Sequence, residues 1–231
     1  MKITWLGHSG FRIETAGQIL LVDPWLRGNP AFDEARFDEA IAGATAILLT
    51  HGHFDHAGNA VEIARAAKAP ICGVYDLVSW LTSGASDVEG VGFNKGGTIA
   101  LGEARVTMVH ATHSASASDG ERPVCVGSET GFVIAGGGTT LYVAGDTDVH
   151  SDMALVQELH RPDLGILPIG GHFTMDAARA AFACRKFFSF RAAIPCHYRT
   201  FPLLAQSAEE FATLAAPTKV VAPEVMETVE L

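Results

Sequence analysis

Short apolar runs bounded by glycine, proline and charged residues divide the first half of the chain into strands and helices. These runs predict strands at residues 2–6, 11–15, 18–22, 45–50 and 70–74. The dipeptide Ala16-Gly17 separates the second and third of these strands and predicts a hairpin. Amphipathic patterns predict helices at residues 57–68, where Pro70 follows the end, and at residues 76–87. The polar stretch 26–44 is irregular, with a short helix predicted at residues 33–40.

The second half shows the same succession of strands and then helices. Strands are predicted at residues 96–100, 104–109, 124–128, 131–135, 140–144, 164–169, 192–196 and 219–222. Helices are predicted at residues 151–159, 174–188 and 208–215, with Ser151 as the N-cap of the first and Asp176 near the start of the second. This order fits two sheets packed face to face with helices outside them. No linker or low-complexity segment interrupts it, so one domain over residues 1–231 is predicted.

Composition limits the classes of partner. The chain has 231 residues, 48% of them hydrophobic, which is enough for a sizeable core. Its formal net charge is −10 and no basic stripe is visible, which argues against a nucleic-acid partner and favours a small-molecule substrate. A small phosphorylated substrate remains compatible with that charge, because bound metal ions supply positive charge locally. The sequence carries no signal of oligomeric state.

The four cysteines, Cys72, Cys125, Cys184 and Cys196, form no C-x-x-C pair, and no signal peptide precedes them. The longest apolar runs fall well short of the ~18 residues of a membrane span. We therefore expect a cytoplasmic protein with reduced thiols and no membrane span. Cys196 precedes a candidate ligand, but neighbours on a strand point to opposite faces, so a packing role is favoured for it.

The most informative stretch is His51-Gly52-His53-Phe54-Asp55-His56, directly after a buried apolar run. It brings three imidazoles and a carboxylate together, and zinc and similar divalent ions prefer these ligands. The alternative is a polar loop that happens to be rich in histidine. The strand predicted before the stretch and the helix predicted after it favour the metal-binding interpretation.

This stretch resembles the His-x-His-x-Asp-His signature of the metallo-β-lactamase superfamily. The resemblance implies an α/β (α+β) fold, a four-layer αββα sandwich. Similarity is greatest to a branch of uncharacterised metal-dependent hydrolases, related to ascorbate-6-phosphate lactonases and more loosely to N-acylphosphatidylethanolamine phospholipases D. Five segments carry it: Trp5-Leu6-Gly7-His8-Ser9, Leu21-Val22-Asp23-Pro24-Trp25, His113-Ser114, Phe173-Thr174-Met175-Asp176 and His197-Tyr198-Arg199-Thr200-Phe201-Pro202. The branch often has asparagine where this chain has His172.

The resemblance also implies a set of seven metal ligands. One ion would be held by His51, His53 and His113, a second by Asp55, His56 and His197, and Asp146 would bridge the two. Three ligands and a shared bridge leave each ion an open position, as in catalytic sites. Zn²⁺ is the favoured ion, with Mn²⁺, Fe²⁺ and Ni²⁺ as alternatives. Asp55 and Asp146 are the predicted catalytic carboxylates, because they would hold the bridging hydroxide and accept its proton.

Five further residues are candidates for supporting roles. Asp23 is expected either to hydrogen-bond a ligand and fix its tautomer or to serve as a turn residue before Pro24. His8, His172 and Tyr198 lie in family-like motifs, and each is expected either to contact substrate or a ligand or to pack elsewhere. His110 rivals His113 as a ligand, and the His-Ser pattern favours His113.

The expected activity is hydrolysis of an ester-type bond, either a lactone or carboxylic ester or a phosphodiester, by a hydroxide bridged between two divalent ions. One alternative is a non-hydrolytic metal-binding or redox domain. It is disfavoured because such superfamily members exchange a first-motif histidine for a carboxylate and carry a flavin domain. The other alternative, a nucleic-acid phosphodiesterase, is disfavoured by the acidic net charge and by the missing extra arm. Residues 26–44, 76–97 and 114–123 are expected to line or cover the pocket.

Overall fold

Two seven-stranded β-sheets and seven α-helices make up the computed structural model, which describes residues 1–231. The first sheet takes its strands from the first half of the chain and from its C-terminal end. They are β1 (Lys2–Trp5), β2 (Phe11–Thr15), β3 (Gln18–Val22), β4 (Ala46–Leu49), β5 (Ile71–Val74), β6 (Gly90–Phe93) and β16 (Thr228–Glu230). Their order is β16-β1-β2-β3-β4-β5-β6, antiparallel as far as β3 and parallel from there to β6.

The second sheet repeats this arrangement. Its strands are β7 (Thr98–Leu101), β8 (Ala104–His110), β11 (Thr130–Gly136), β12 (Thr139–Val143), β13 (Leu164–Pro168), β14 (Ala192–Cys196) and β15 (Lys219–Val220). Their order is β15-β14-β13-β12-β11-β8-β7, with the parallel pairs running from β12 to β15. A separate two-stranded ribbon consists of β9 (Ser116–Ser118) and β10 (Pro123–Cys125).

The helices follow the parallel strands. They are α1 (Phe37–Ile41), α2 (Phe54–Ala57), α3 (Ala60–Ala67), α4 (Tyr75–Ser83), α5 (Met153–His160), α6 (Ala177–Phe187) and α7 (Glu209–Leu214), and a 3₁₀ turn (Glu34–Arg36) precedes α1. Every residue of β4, β5, β13 and β14 is buried, which is typical of parallel strands covered on both faces. The core is one continuous cluster of 61 buried residues. None of the helices combines the length and apolar character that crossing a membrane requires.

The two sheets with outer helices confirm the predicted αββα sandwich, and the differences from prediction have local causes. The helix predicted at 57–68 is α3, which begins only at Ala60, and Gly58 and Asn59 separate it from the short α2, which was not predicted. The strand predicted at 124–128 does not join the second sheet, because residues 123–125 pair with β9 instead. Ser151 is not a cap, since α5 begins at Met153 after Asp152. Two edge strands, β6 and β16, have sequences too short or too rich in glycine to signal a strand.

Candidate metal centre

Four strand ends bring the predicted ligands together where the two sheets meet. His51 follows β4 of the first sheet, and His113, Asp146 and His197 follow β8, β12 and β14 of the second. The sheets are joined at this point, because the backbone N–H and the hydroxyl of Thr130 both donate to the carbonyl oxygen of Thr50, at 3.0 and 2.9 Å. Ligands from distant parts of the chain therefore share one rigid support.

All seven predicted ligands lie in one group, which we call the floor cluster: His51, His53, Asp55, His56, His113, Asp146 and His197. Potential ligand atoms lie within 4.8 Å of one another in three overlapping sets. The first contains His51, His53 and His113, and the third contains His51, His56 and Asp146. The second contains Asp55, His56 and His197, together with His8.

Asp146 lies at the junction of these sets. Its Oδ2 atom is 3.0 Å from Nε2 of His197, 3.3 Å from that of His56, 3.6 Å from that of His113 and 4.0 Å from that of His51. Gly145 allows this approach: its φ is +66°, and a Cβ there would collide with the carbonyl oxygen of Thr130. One carboxylate thus faces histidines of both predicted ion sites.

The residues present fit a divalent metal. Nε2 of His56 and Oδ1 of Asp146 are buried without any hydrogen-bond partner. Buried polar atoms are normally paired, so two unpaired ones in a cluster of imidazoles and carboxylates call for a cation. The donor set is nitrogen and carboxylate oxygen, which suits zinc and neighbouring transition metals and gives no closed thiolate cage.

Most residues of the cluster have lowered pKa values and are therefore deprotonated, the state in which they can bind a metal ion. Burial and the neighbouring His56 hold the pKa of His51 well below its ordinary value, and burial and His113 lower the pKa of His53. Burial would raise the pKa of Asp146, but His197 and His56 outweigh it and keep the pKa well below the usual range. His56 differs: despite burial, Asp146 and Asp23 raise its pKa. A cation at Nε2 of His56 would replace that proton.

Asp23 accepts hydrogen bonds from one candidate ligand and from the residue that precedes the motif. Its Oδ2 accepts from Nδ1 of His56 at 2.8 Å and from the hydroxyl of Thr50 at 2.6 Å, while Oδ1 accepts from the Thr50 backbone N–H at 2.8 Å. The bond to Nδ1 leaves Nε2 of His56 as the free ring nitrogen, facing Asp146. Of the two roles expected for Asp23, the structure places it in contact with a candidate ligand.

His8 makes a second such contact, to Asp55. Its Nε2 is 3.0 Å from Oδ2 of Asp55, and its Nδ1 is 2.6 Å from the hydroxyl of Thr200. Burial lowers the pKa of His8 to about 4, although the hydrogen bond to Asp55 opposes this. Burial alone would raise the pKa of Asp55, but the hydrogen bond from His8 and the charge of His56 lower it well below the usual range. His8 therefore fixes one carboxylate oxygen of Asp55.

Three residues of this centre have left-handed backbones: His8 (φ 53°), Asp23 (φ 44°) and His197 (φ 56°). Such conformations cost non-glycine residues of the order of 1–3 kcal/mol each and persist only where the surroundings impose them. The backbone N–H of His197 donates to the carbonyl oxygen of His8 at 3.0 Å, and the Trp5 indole N–H donates to that same oxygen at 2.9 Å. This pair of bonds locks two of the three conformations against each other.

A cleft of about 780 Å³ opens above the floor cluster. His53, Asp55, His113, Asp146 and His197 reach its surface, and residues of the β9–β10 ribbon form one wall. Four large apolar side chains also line the cleft, and we call them the apolar rim: Phe54, Phe173, Phe201 and Leu203. Of the segments expected to line the pocket, 114–123 does so, whereas 26–44 and 76–97 contribute no residue to it.

The remaining candidates lie away from the cluster. Tyr198 is buried, and its ring stacks on Trp5 with centroids 5.1 Å apart, so of the two alternatives expected for it the structure shows packing away from the cleft. His172 is exposed and packs edge-on against Phe173, outside the cleft lining. His110 faces Lys95 and Thr112, and only His113 joins the cluster. The structure therefore distinguishes histidines, such as His110 and His113, that look equivalent in the sequence.

Sequence reasoning missed two features of the centre. Thr50 and Thr200, which anchor Asp23 and His8, were not singled out, and threonine beside a metal motif carries no distinctive signal. The apolar rim was missed as well. Phe173 and Phe201 lie in segments that resemble the branch pattern, but sequence alone does not tell an exposed aromatic ring from a buried one.

The chain is similar over its whole length to a protein described as a metal-dependent hydrolase. A model of the beta-lactamase superfamily domain matches residues 2–197 of the chain. A protein described as a UPF0173 metal-dependent hydrolase, from Cereibacter sphaeroides strain ATCC 17025, is 61% identical over 231 residues, which are 100% of both proteins.

Two solved structures are informative. A metallo hydrolase from the hyperthermophilic archaeon Ignicoccus hospitalis has a TM-score of 0.87 and 33% identity, covering 99% of this chain and 97% of that one. A diiron β-hydroxylase from Streptomyces venezuelae has a TM-score of 0.74 and 14% identity, covering 100% of this chain and 54% of that one. The second likeness shows the fold alone, and this fold therefore also occurs in an enzyme with a different chemistry.

Proposed function

This chain belongs to the beta-lactamase superfamily of metal-dependent hydrolases, and from that premise we propose that it cleaves an ester-type bond of a small substrate with the aid of two divalent ions. The observation that carries the proposal is the position of Asp146, whose Oδ2 lies within 4.0 Å of imidazoles assigned to both ions. In this proposal His51, His53 and His113 hold one ion, Asp55, His56 and His197 hold the other, and Asp146 contacts both.

When bound, two divalent ions would supply a hydroxide nucleophile at neutral pH and polarise the scissile oxygen. The residues of the chain have separate tasks. The low pKa values of Asp55 and Asp146 keep both carboxylates ionised at the cleft floor, the form in which a carboxylate binds a divalent ion. Asp23 orients His56, and His8 orients Asp55. No serine or cysteine nucleophile is required.

Two classes of scissile bond fit this proposal: a carboxylic ester, including a lactone, and a phosphodiester. The same floor cluster could serve both reactions. A side-by-side assay separates them. Protein freed of metal and reloaded with Zn²⁺ or Mn²⁺ is offered a panel of lactones, 4-nitrophenyl esters and bis(4-nitrophenyl) phosphate. We expect metal-dependent hydrolysis of one of these classes.

A variant pair makes the assay specific to the cluster. His53→Ala should lose hydrolysis by at least about a hundredfold, because it removes a ligand of the first ion. His160→Ala is the matched control, since this histidine lies in the last turn of α5 and belongs to none of the ligand sets. Full hydrolysis by His53→Ala, or iron-dependent oxidation without hydrolysis in the wild-type chain, would contradict the proposal.

A further inference from the structure

The apolar rim concentrates exposed hydrophobic surface at one place. Eight large apolar side chains are exposed on the protein, and three of them, Phe54, Phe173 and Leu203, line the cleft above the floor cluster. Their exposed fractions are 64%, 48% and 63%. Exposed apolar surface that lines a cleft, rather than lying scattered over the surface, is typical of a binding site.

Packing beneath the rim holds it in place. The Phe54 ring meets Trp25 edge-on with centroids 5.6 Å apart, and the Phe201 ring stacks on the same indole at 5.8 Å. Trp25 itself is buried. Two rim residues therefore share one fixed aromatic support, and both line the cleft.

Charge in the cleft is scarce away from the floor cluster. Arg122 is the one lysine or arginine among its lining residues, its side chain is 80% exposed, and Asp119 lies 3.6 Å from it. Glu121 adds a negative charge beside it. Ser116 and Ser118 of the ribbon and Ser114 just before it are polar but uncharged lining residues. No buried cation is available there for a phosphate or carboxylate group on the body of a substrate.

From these observations we propose that the cleft selects substrates whose body is apolar and uncharged away from the scissile bond, with an acyl chain or aromatic ring lying on the apolar rim. The inference rests on the proposed function, because the floor cluster is taken to hold the scissile bond. A substrate that carries a phosphate on its body would place that charge against Phe173 and Leu203 and lose solvation without gaining a partner.

The first test measures chain-length preference in the metal-loaded protein. With 4-nitrophenyl acetate, butyrate and octanoate, kcat/KM should rise about two- to fourfold for each methylene that the rim buries. An octanoate carrying a phosphate at its far end should react at least about tenfold more slowly than octanoate itself. Equal rates for acetate and octanoate, or faster hydrolysis of the phosphorylated ester, would overturn the inference.

A matched pair of double variants assigns the preference to the rim. Phe173→Ser with Leu203→Ser should reduce the ratio of octanoate to acetate kcat/KM by at least about fivefold. Phe182→Ser with Leu159→Ser is the control, because these side chains are 46% and 72% exposed on α6 and α5, outside the cleft. A further variant, Leu203→Lys, should shift the preference toward the phosphorylated ester, a gain that misfolding does not produce. An unchanged preference in both cleft variants would contradict the assignment.

Binding distinguishes failure of this inference from failure of the proposed function. By calorimetry, the metal-loaded protein should bind N-methyloctanamide at least about tenfold more tightly than N-methylacetamide, although it need not cleave either. If that difference is found but no ester or phosphodiester is hydrolysed, the proposed function fails and the apolar subsite stands. If esters are hydrolysed but neither binding nor rate depends on chain length, the apolar subsite fails and the hydrolase stands.

Discussion

The floor cluster and the apolar rim line the same cleft, but the protein fixes them in different ways. His51, Asp146 and His197 are buried just after strands, and His56 is buried in α2. Hydrogen bonds hold His56 and His197, and His197 has a left-handed backbone. The rim residues lie on loops and at the start of a short helix, with side chains up to 64% exposed. The difference implies that the chemistry of the fold can stay constant while loop residues change the substrate.

Removing the metal ions with a chelator should have the largest effect, and the effect should be on the floor cluster and its hydrolysis. Removing the ions is expected to abolish hydrolysis, because the nucleophile depends on them, while the chain stays folded on its core of 61 buried residues. The melting temperature should fall by only a few degrees, as expected when a ligand of the native state is withdrawn. Activity, thermal unfolding and circular dichroism before and after treatment with EDTA measure this. Cooperative unfolding caused by EDTA alone would show that the floor cluster is a structural site instead.

Asp23→Asn should weaken metal binding by the floor cluster without changing the size of the side chain at position 23. The amide keeps the shape of the side chain but loses the charge that fixes the tautomer of His56, so metal affinity should fall about 10- to 100-fold. Metal titration against a chromophoric chelator measures the change. Asp38→Asn is the control, since Asp38 is exposed on α1 and belongs to none of the ligand sets. Equal affinities for the two variants would make Asp23 a turn residue and nothing more.

A buried and an exposed cysteine should affect the stability of the fold differently at alkaline pH. Burial raises the pKa of Cys184 from 9.0 to about 12, whereas Cys125, in the ribbon, is exposed. Above pH 9 the thiol of Cys184 loses its proton in the unfolded chain but keeps it in the folded chain. The free energy of unfolding is therefore unaffected by this thiol below pH 9 and decreases as the pH rises toward 12. Between pH 8 and about pH 10.5 this loss amounts to about 2 kcal/mol for the one thiol.

Urea unfolding at the two pH values checks the thiol effect. Cys184→Ala should lose less stability between them than the wild-type chain, and Cys125→Ala should lose as much as wild type. If the alkaline losses of the two variants were equal, the buried thiol would not be the cause.

Much of the floor cluster could be predicted because its ligands lie in short motifs whose residue types limit the chemistry. His51, His53, Asp55 and His56 follow one strand, and the Gly-Asp-Thr around Asp146 follows another. The repeated order of strands and helices fitted two packed sheets, and the resemblance to the metallo-β-lactamase superfamily implied the four-layer sandwich. Where prediction failed, tertiary pairing decided the outcome: residues 123–125 pair with β9, and β16 pairs with β1 across the whole length of the chain.

Side-chain direction was beyond the sequence. Tyr198 and His197 are neighbours, yet one ring stacks on Trp5 and the other faces Asp146. His8 could be placed near the pocket, but its bond to Asp55 depends on a left-handed backbone that no local pattern predicts for histidine. The exposure of Phe173 and Leu203 depends on which loops cover them, and contacts between distant segments settle that.

The proposal that the floor cluster would hold two ions, with Asp146 contacting both, is tested by counting the metal ions bound to each chain. Wild-type protein and Asp146→Ala are each saturated with Zn²⁺, desalted and analysed by inductively coupled plasma mass spectrometry, with hydrolysis measured on the same samples. We expect two ions per chain and metal-dependent hydrolysis for the wild type. For Asp146→Ala we expect fewer than two ions and a rate at least about a thousandfold lower. A wild-type chain with no more than one ion, or an Asp146→Ala chain with two ions and full activity, would contradict it.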